Sequence, residues 1–216
     1  MKREDVMKEN KCIHCVARRK LKPIVPVKRE ASSDVNIPKT FKLITDFVTG
    51  EKIPDVGAEA NRQTVERVLI AEKGYTKKDI EVDAPLEVTM GDEFYCSSVD
   101  LVISVDSTRY MAIKCAPGSL GSREREIVSA ARLLDEYQIP VSVVSDGKTA
   151  MVLDTVSGEK IGEGLDAIPS KKALQETAKS LKLQPLAEKR SEREKLIFRS
   201  YDSMNVNVGR NISPNQ

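Results

Sequence analysis

Tyr95-Cys96-Ser97-Ser98-Val99-Asp100-Leu101-Val102-Ile103-Ser104-Val105, followed by Asp106-Ser107-Thr108 and then by Arg109-Tyr110-Met111-Ala112-Ile113-Lys114-Cys115, is the stretch on which the fold turns. The first run alternates. Val99, Leu101, Ile103 and Val105 fall on one side, and Asp100, Val102 and Ser104 on the other, which is the period of a strand. The second run is apolar and strand-like, and Pro117-Gly118 ends it. Read as a three-residue hairpin loop, Asp106–Thr108 sets Val105 against Arg109 and carries the pairing back to Asp100 opposite Lys114. Asp100, Ala112 and Lys114 then project from one face as cross-strand neighbours. A loop one residue longer or shorter would put Asp100 and Lys114 out of phase.

The flanking segments supply helices. Residues 57–73 place Val65, Val68 and Leu69 at helical spacing, and Gly74 supplies the stop. Glu59, Arg62, Gln63 and Glu66 fall at i, i+3, i+4 and i+7, so they share one polar face of that helix. A second helix spans about 123–137, with Ile127, Ala130, Ala131 and Leu134 on one side. Val141–Val144 and Ala150–Asp154 read as strands around an Asp146-Gly147 turn, and Ile80–Val82 and Leu86–Met90 as two short strands. A short helix or turn is expected over Phe41–Val48. Two further helices follow at about 170–181 and 187–203, the last either packing back on the core or extending as an arm. A strand, a helix and an apolar strand in succession predict a right-handed crossover onto a mixed sheet. The expected organisation is a basic, largely flexible segment over 1–40, an α/β domain over 41–169, C-terminal helices over 170–204 and a disordered tail over 205–216.

Composition bounds the function. The 216 residues carry a net charge of +2, which hides a segregation. Residues 1–50 hold 12 Lys/Arg and 6 Asp/Glu, residues 51–168 hold 13 and 22, and residues 169–216 hold 10 and 5. Basic ends suit nucleic acid or acidic protein surfaces, whereas the acidic middle repels phosphate unless cations offset it. No stretch approaches the roughly 20 apolar residues of a membrane span. Met1–Asn10 lacks the apolar core of a signal peptide, so a cytoplasmic location is the expectation. Four cysteines do not make a disulfide framework. Cys12-Ile13-His14-Cys15 offers three zinc donors, but no second Cys pair completes the usual four, so Zn2+ at Cys12, His14 and Cys15 is disfavoured. No Walker-type glycine loop is present.

An Asp and a Lys on adjacent strands have a chemical use. A carboxylate can hold a divalent metal that binds a scissile phosphate and acidifies water, and an ammonium can stabilise the transition-state charge. The plain alternative is an ion pair on a sheet face.

At these residues the chain resembles a known family. Thr45-Asp46-Phe47-Val48-Thr49-Gly50-Glu51, then Glu59 with Asn61-Arg62-Gln63, Leu69 to Gly74-Tyr75, Asp79-Ile80-Glu81-Val82, Asp100-Leu101-Val102-Ile103, Ala112-Ile113-Lys114-Cys115-Ala116-Pro117 and Asp146-Gly147-Lys148 follow in the order seen in the N-terminal nuclease domain of type I restriction enzyme R subunits. The resemblance runs from about residue 44 to 169. It implies an α/β restriction-endonuclease-like fold of the PD-(D/E)xK type, a mixed central sheet flanked by helices, here with C-terminal helices added. It implies one Mg2+-dependent phosphodiesterase site built from a helical Glu, a strand Asp and a (D/E)-x-K strand. By position the strand Asp is Asp100, the lysine is Lys114, and the helical acid is Glu66, with Glu59 the alternative. Asp100 and Glu66 would hold the metal. Arg62, Gln63, Arg123, Arg125 and Lys148 are the candidate nucleic-acid contacts.

The departure is at position 112. The acid expected two residues before Lys114 is replaced by Ala112. Anchoring on Ala116-Pro117 instead puts Cys115 in the lysine place and Ile113 in the acid place. Both registers lose the acid, although Glu124 or Glu126 of the next helix could supply one. Two functions are therefore expected: a Mg2+-dependent DNA endonuclease with a degenerate site, or a non-catalytic nucleic-acid-binding or protein-interaction module. DNA, a second copy or a larger protein are the expected partners, with no membrane.

Overall fold

The computed structural model describes residues 42–203. The expectations for residues 1–40, for Cys12, His14 and Cys15, and for the tail over 205–216 lie outside the described residues. Within them the fold is mixed α/β. A two-stranded antiparallel hairpin, β1 (Leu43–Thr45) and β2 (Lys52–Pro54), precedes helix α1 (Glu59–Ala71). Six strands then form one sheet in sequential order: β3 (Ile80–Met90), β4 (Glu93–Val105), β5 (Thr108–Cys115), β6 (Val141–Ser145), β7 (Ala150–Asp154) and β8 (Lys160–Glu163). Helix α2 (Glu124–Leu133) crosses between β5 and β6, the one parallel pair. Every other neighbouring pair is antiparallel. Helices α3 (Lys171–Ala178) and α4 (Glu188–Ser203) follow the sheet.

Two cores lie against the sheet. Val65 and Leu69 of α1 pack with Leu101, Ile103, Met111, Ile113, Cys115 and Val143. Ile127, Ala130 and Ala131 of α2 pack with Val102, Ala112, Val144 and Leu153. Each fully buried aliphatic side chain contributes roughly 1.5–3 kcal/mol relative to exposure, so the apolar stripe of each helix outweighs its modest intrinsic propensity. Residues 112 and 114 of β5 thus alternate with 113 and 115, and only the latter pair faces α1.

Some elements differ from expectation. Residues 43–54 form a hairpin where a helix or turn was expected over Phe41–Val48. Asp46 Oδ1 accepts the amides of Val48 and Thr49 at 3.0 and 2.7 Å, and Gly50 takes a φ of +77°. That side-chain-capped turn reverses the chain and lets Ile44 pair with Ile53. The two expected short strands over 80–90 are one continuous strand, with Asp83 at a φ of +51° inside it. Strand β8 has no alternation of apolar residues and was not expected. Helix α4 packs back on the core. Glu194 is buried against α2, bonded to Ser129 Oγ at 2.9 Å and Arg132 at 2.8 Å, and Phe198 is buried edge-on to Tyr95. Among the described residues no helix is long and apolar enough to cross a membrane.

Candidate functional site

The hairpin joining β4 and β5 decides where the chemistry lies. Val105 pairs with Thr108, so the loop is the two residues Asp106 and Ser107, both left-handed at φ +49° and +67°. This is the two-residue turn that matches strand twist, and the expected three-residue loop is corrected. The register nonetheless returns. Ser104 pairs with Arg109, but Ile103 pairs with Met111, leaving Tyr110 as the extra residue of a bulge. Val102 then faces Ala112 and Leu101 faces Ile113, so Asp100 lies opposite Lys114. One residue lost from the loop is regained in the bulge.

Lys114 Nζ lies 3.5 Å from Asp100 Oδ1 and 3.1 Å from Glu126 Oε1 on α2. Arg123 holds the other oxygen of Glu126 at 3.1 Å. Asp100 Oδ2 accepts the Cys115 amide at 2.7 Å. Asp100, Lys114 and Glu126 are all buried. A charge removed from water at this depth needs its partners, since leaving one unpaired costs several kcal/mol. Glu126, weighed in the sequence as an acid from the next helix, reaches the lysine.

The polar face of α1 is turned inward, under the β1–β2 hairpin and beside β3. Arg62 is its centre: its guanidinium lies 2.7 Å from Glu59, 3.2 Å from Asp46, 3.3 Å from Asp83 and 3.9 Å from Glu66. Gln63 accepts the Phe47 amide at 2.8 Å and donates to Asp46 and Glu59. Glu66 is completely buried, and neither carboxylate oxygen has a hydrogen-bond partner. Burial first, then the negative charge of Asp46 and Glu59, pushes its pKa up to about 7 against the pull of Arg62. Asp46 is held below the ordinary carboxylate range: burial opposes, but Thr49, Arg62 and Gln63 favour the ionised form. Burial, reinforced by Asp100, pushes the Cys115 thiol up, although Arg62 and Lys114 pull the other way.

Glu66 and Lys114 are therefore on opposite faces of the sheet. Ile113 and Cys115, on either side of Lys114 in β5, share the α1 core with Val65 and Leu69, as do Tyr110 and Met111, whereas Lys114 contacts Glu126 of α2. The sequence-based pairing of Asp100 with Lys114 is present, and Glu66 lies on the other side. Of the basic candidates, Arg62 and Gln63 are buried, Arg123 is half-buried on Glu126, and Arg125 and Lys148 are exposed. Asn61 Nδ2 donates to the Ala116 carbonyl at 2.7 Å, and the Gly147 turn rests on α1, where a Cβ would lie 3.2 Å from Asn61 Cα.

Sequence reasoning missed Asp46 and Asp83. Asp46 had a signal, an Asp three residues before Thr49-Gly50, which reads as a capped turn. Asp83 had none, because a left-handed Asp inside a strand has no pattern. Among the described residues no group of three or more His, Cys, Asp or Glu converges to hold a metal ion. The donors do not fit the magnesium ion that the resemblance implies. Asp100 is engaged by an ammonium and an amide, and the carboxylates around Glu66 are already compensated by the Arg62 guanidinium.

Neither a curated protein nor a solved structure matches this chain. The model of one family does, the Type I restriction enzyme R protein N terminus (HSDR_N), over residues 57–169, just over half of the chain. That span begins two residues before α1, takes in the whole six-stranded sheet and ends before α3. The sheet, the inward-facing helix and the match over the same residues agree: the chain belongs to the family of the N terminus of type I restriction enzyme R proteins.

Proposed function

We propose that this chain is a DNA-binding member of its family that keeps the nuclease scaffold and does not hydrolyse phosphodiester bonds. One observation carries the reading. The neighbours of Lys114 along β5, Ile113 and Cys115, share the α1 core on the side of the sheet where Glu66 lies, while the strand's ammonium, Lys114, is turned to the other side and held by Glu126 at 3.1 Å. An aliphatic side chain and a thiol held neutral by burial can neither hold a hard cation nor stabilise charge on a phosphate. The test is a plasmid assay. Supercoiled DNA incubated with the full chain and Mg2+ or Mn2+ stays uncut, while the same protein shifts duplex DNA in a gel at low salt and loses it as salt rises. Metal-dependent nicking that Asp100→Ala abolishes would reverse the reading.

A second reading rests on Glu126. It stands beside Lys114 and close to Asp100, so an acid absent from position 112 has a counterpart supplied by α2. A nuclease built this way would lose its cutting in Glu126→Gln and keep it in Glu66→Gln. The opposite dependence, or no cutting at all, rejects this second reading.

A further inference from the structure

If DNA is the ligand, the residues that meet it need to be found, because Arg62 and Gln63 are buried under carboxylates. Over residues 42–203 acids outnumber bases, 28 Asp/Glu to 23 Lys/Arg. A phosphate backbone is repelled by most of such a surface and must dock where cations gather.

One run of contacts gathers them. Lys52 of β2 donates to Thr45 Oγ, and Thr45 lines a cleft of about 200 Å³ shared with Ile44, Ala60 and Arg67. Arg67 lies over the Phe47 ring at 5.3 Å from its centroid. Lys77 lies over the same ring at 5.0 Å and donates to the Phe47 carbonyl. Lys78 is next in the chain, and Asp79 binds Lys171 at 2.8 Å, followed by Lys172 in the first turn of α3. Lys52, Arg67, Lys77, Lys78 and Lys172 are exposed. Of the carboxylates along the line, Asp79 is already committed to Lys171 and the Thr76 cap, Asp55 borders the cleft, and Glu51 is exposed beside Lys52.

We propose that this line, from the β1–β2 hairpin across Phe47 to the start of α3, is the surface on which the backbone of a DNA duplex docks, with Arg67 and Lys77 as its central contacts. The proposal rests on the DNA-binding reading above and names the surface that serves it. Two features favour these residues over the exposed Arg125 and Lys148. Several cations succeed one another across four elements, so more than one phosphate is met at once. The Phe47 ring also holds Arg67 and Lys77 in place before any ligand arrives, so less side-chain freedom is lost on binding. An acidic peptide would answer the same charge. The restriction-enzyme family favours the nucleic acid.

The experiment is fluorescence anisotropy with a labelled 30-bp duplex over a salt series, using the full chain. Four proteins are compared: wild type, Arg67→Gln/Lys77→Gln, Arg67→Glu/Lys77→Glu and the control Lys189→Glu/Arg193→Glu, two exposed cations of α4. Thermal melting checks that each is folded. Affinity should fall about tenfold in the Gln pair and further in the Glu pair, while the control stays within about twofold of wild type. The slope of log K against log salt should fall by about 1.8 in the Gln pair, the value for two lost phosphate contacts at roughly 0.9 each. Wild-type binding left intact by both patch variants would overturn this surface and leave the DNA-binding reading standing. An equal loss in the control would also overturn it, because the binding would then be spread over all surface charge. No wild-type binding at low salt would overturn the DNA-binding reading itself. Polyglutamate that competes as well as DNA at equal charge would overturn the choice of nucleic acid as occupant.

Discussion

Replacing Glu66 by glutamine should stabilise the protein at alkaline pH and leave it nearly unchanged in mild acid. Glu66 is fully buried with both oxygens unbonded, and its pKa is raised from 4.5 to about 7. A carboxyl group whose pKa is raised by folding favours the folded state only while protonated. Below the unfolded value, near 4.5, the group is neutral in both states and nothing is lost. Between 4.5 and 7 folding must take up a proton, and stability falls as pH rises. Above 7 the group is ionised in both states, and the loss is complete and flat. At about 1.36 kcal/mol per pKa unit, the shift corresponds to roughly 3 kcal/mol. The Glu66→Gln change keeps the shape of the side chain and removes its charge. Chemical denaturation at pH 5, 6, 7 and 8 measures the difference between the two proteins. It should grow from within about 1 kcal/mol at pH 5 to about 3 kcal/mol in favour of the variant at pH 8. A difference that does not change across this range would refute the reasoning, because Glu66 would then share one protonation state in both forms. A variant less stable than wild type at pH 8 would refute it more directly.

Three further outcomes follow from buried charge and backbone geometry. Glu194→Ala leaves the buried Arg132 guanidinium without its 2.8 Å partner and should cost about 3–5 kcal/mol in urea unfolding; a loss under about 1 kcal/mol would mean that α4 does not dock as described. Lys114→Met takes the ammonium from between the buried Asp100 and Glu126, which keep the Cys115 amide and Arg123, and should cost about 3 kcal/mol, while Lys114→Met/Glu126→Gln should recover at least about 1 kcal/mol of it, read as the coupling in a double-mutant cycle. Gly147→Ala should lower stability by about 2 kcal/mol, since the φ of +82° is unfavourable for Ala and the new Cβ meets Asn61 Cα at 3.2 Å; an unchanged melting curve would show that the turn can lift off α1.

Much of the scaffold could be read from the chain, and the reasons differ by element. The runs over 93–105 and 108–115 alternate, so their strand character and shared hairpin were plain. Helix α1 announced itself through Val65, Val68, Leu69 and the Gly74 stop. Strand β8, Lys160-Ile161-Gly162-Glu163, carries no such period, because it is an exposed edge held by backbone pairing with β7 and by the close approach of Gly162 to Ala167. The Asp100–Lys114 register was inferred through a loop of the wrong length. It held because the Tyr110 bulge restores the residue that the two-residue turn removes. No local pattern marks such a compensation, since it depends on how both strands meet their neighbours.

The mixed α/β class was legible in the alternation and helical spacing of single segments, because periodicity is a local property. The acid missing at Ala112, or at Ile113 in the other register, was read from the family resemblance, and the pairing of Asp100 with Lys114 from an assumed loop length that the Tyr110 bulge made good. The face that each group occupies emerged only on packing. Glu66 and Lys114 are turned to opposite sides of one sheet, and Lys114 is given to Glu126. Asp46, Glu59, Glu66 and Asp83 gather around Arg62, four acids from three elements that share no spacing. A buried charge selects its partner by proximity in space, and that proximity exists only once the hairpin, α1 and β3 have packed together.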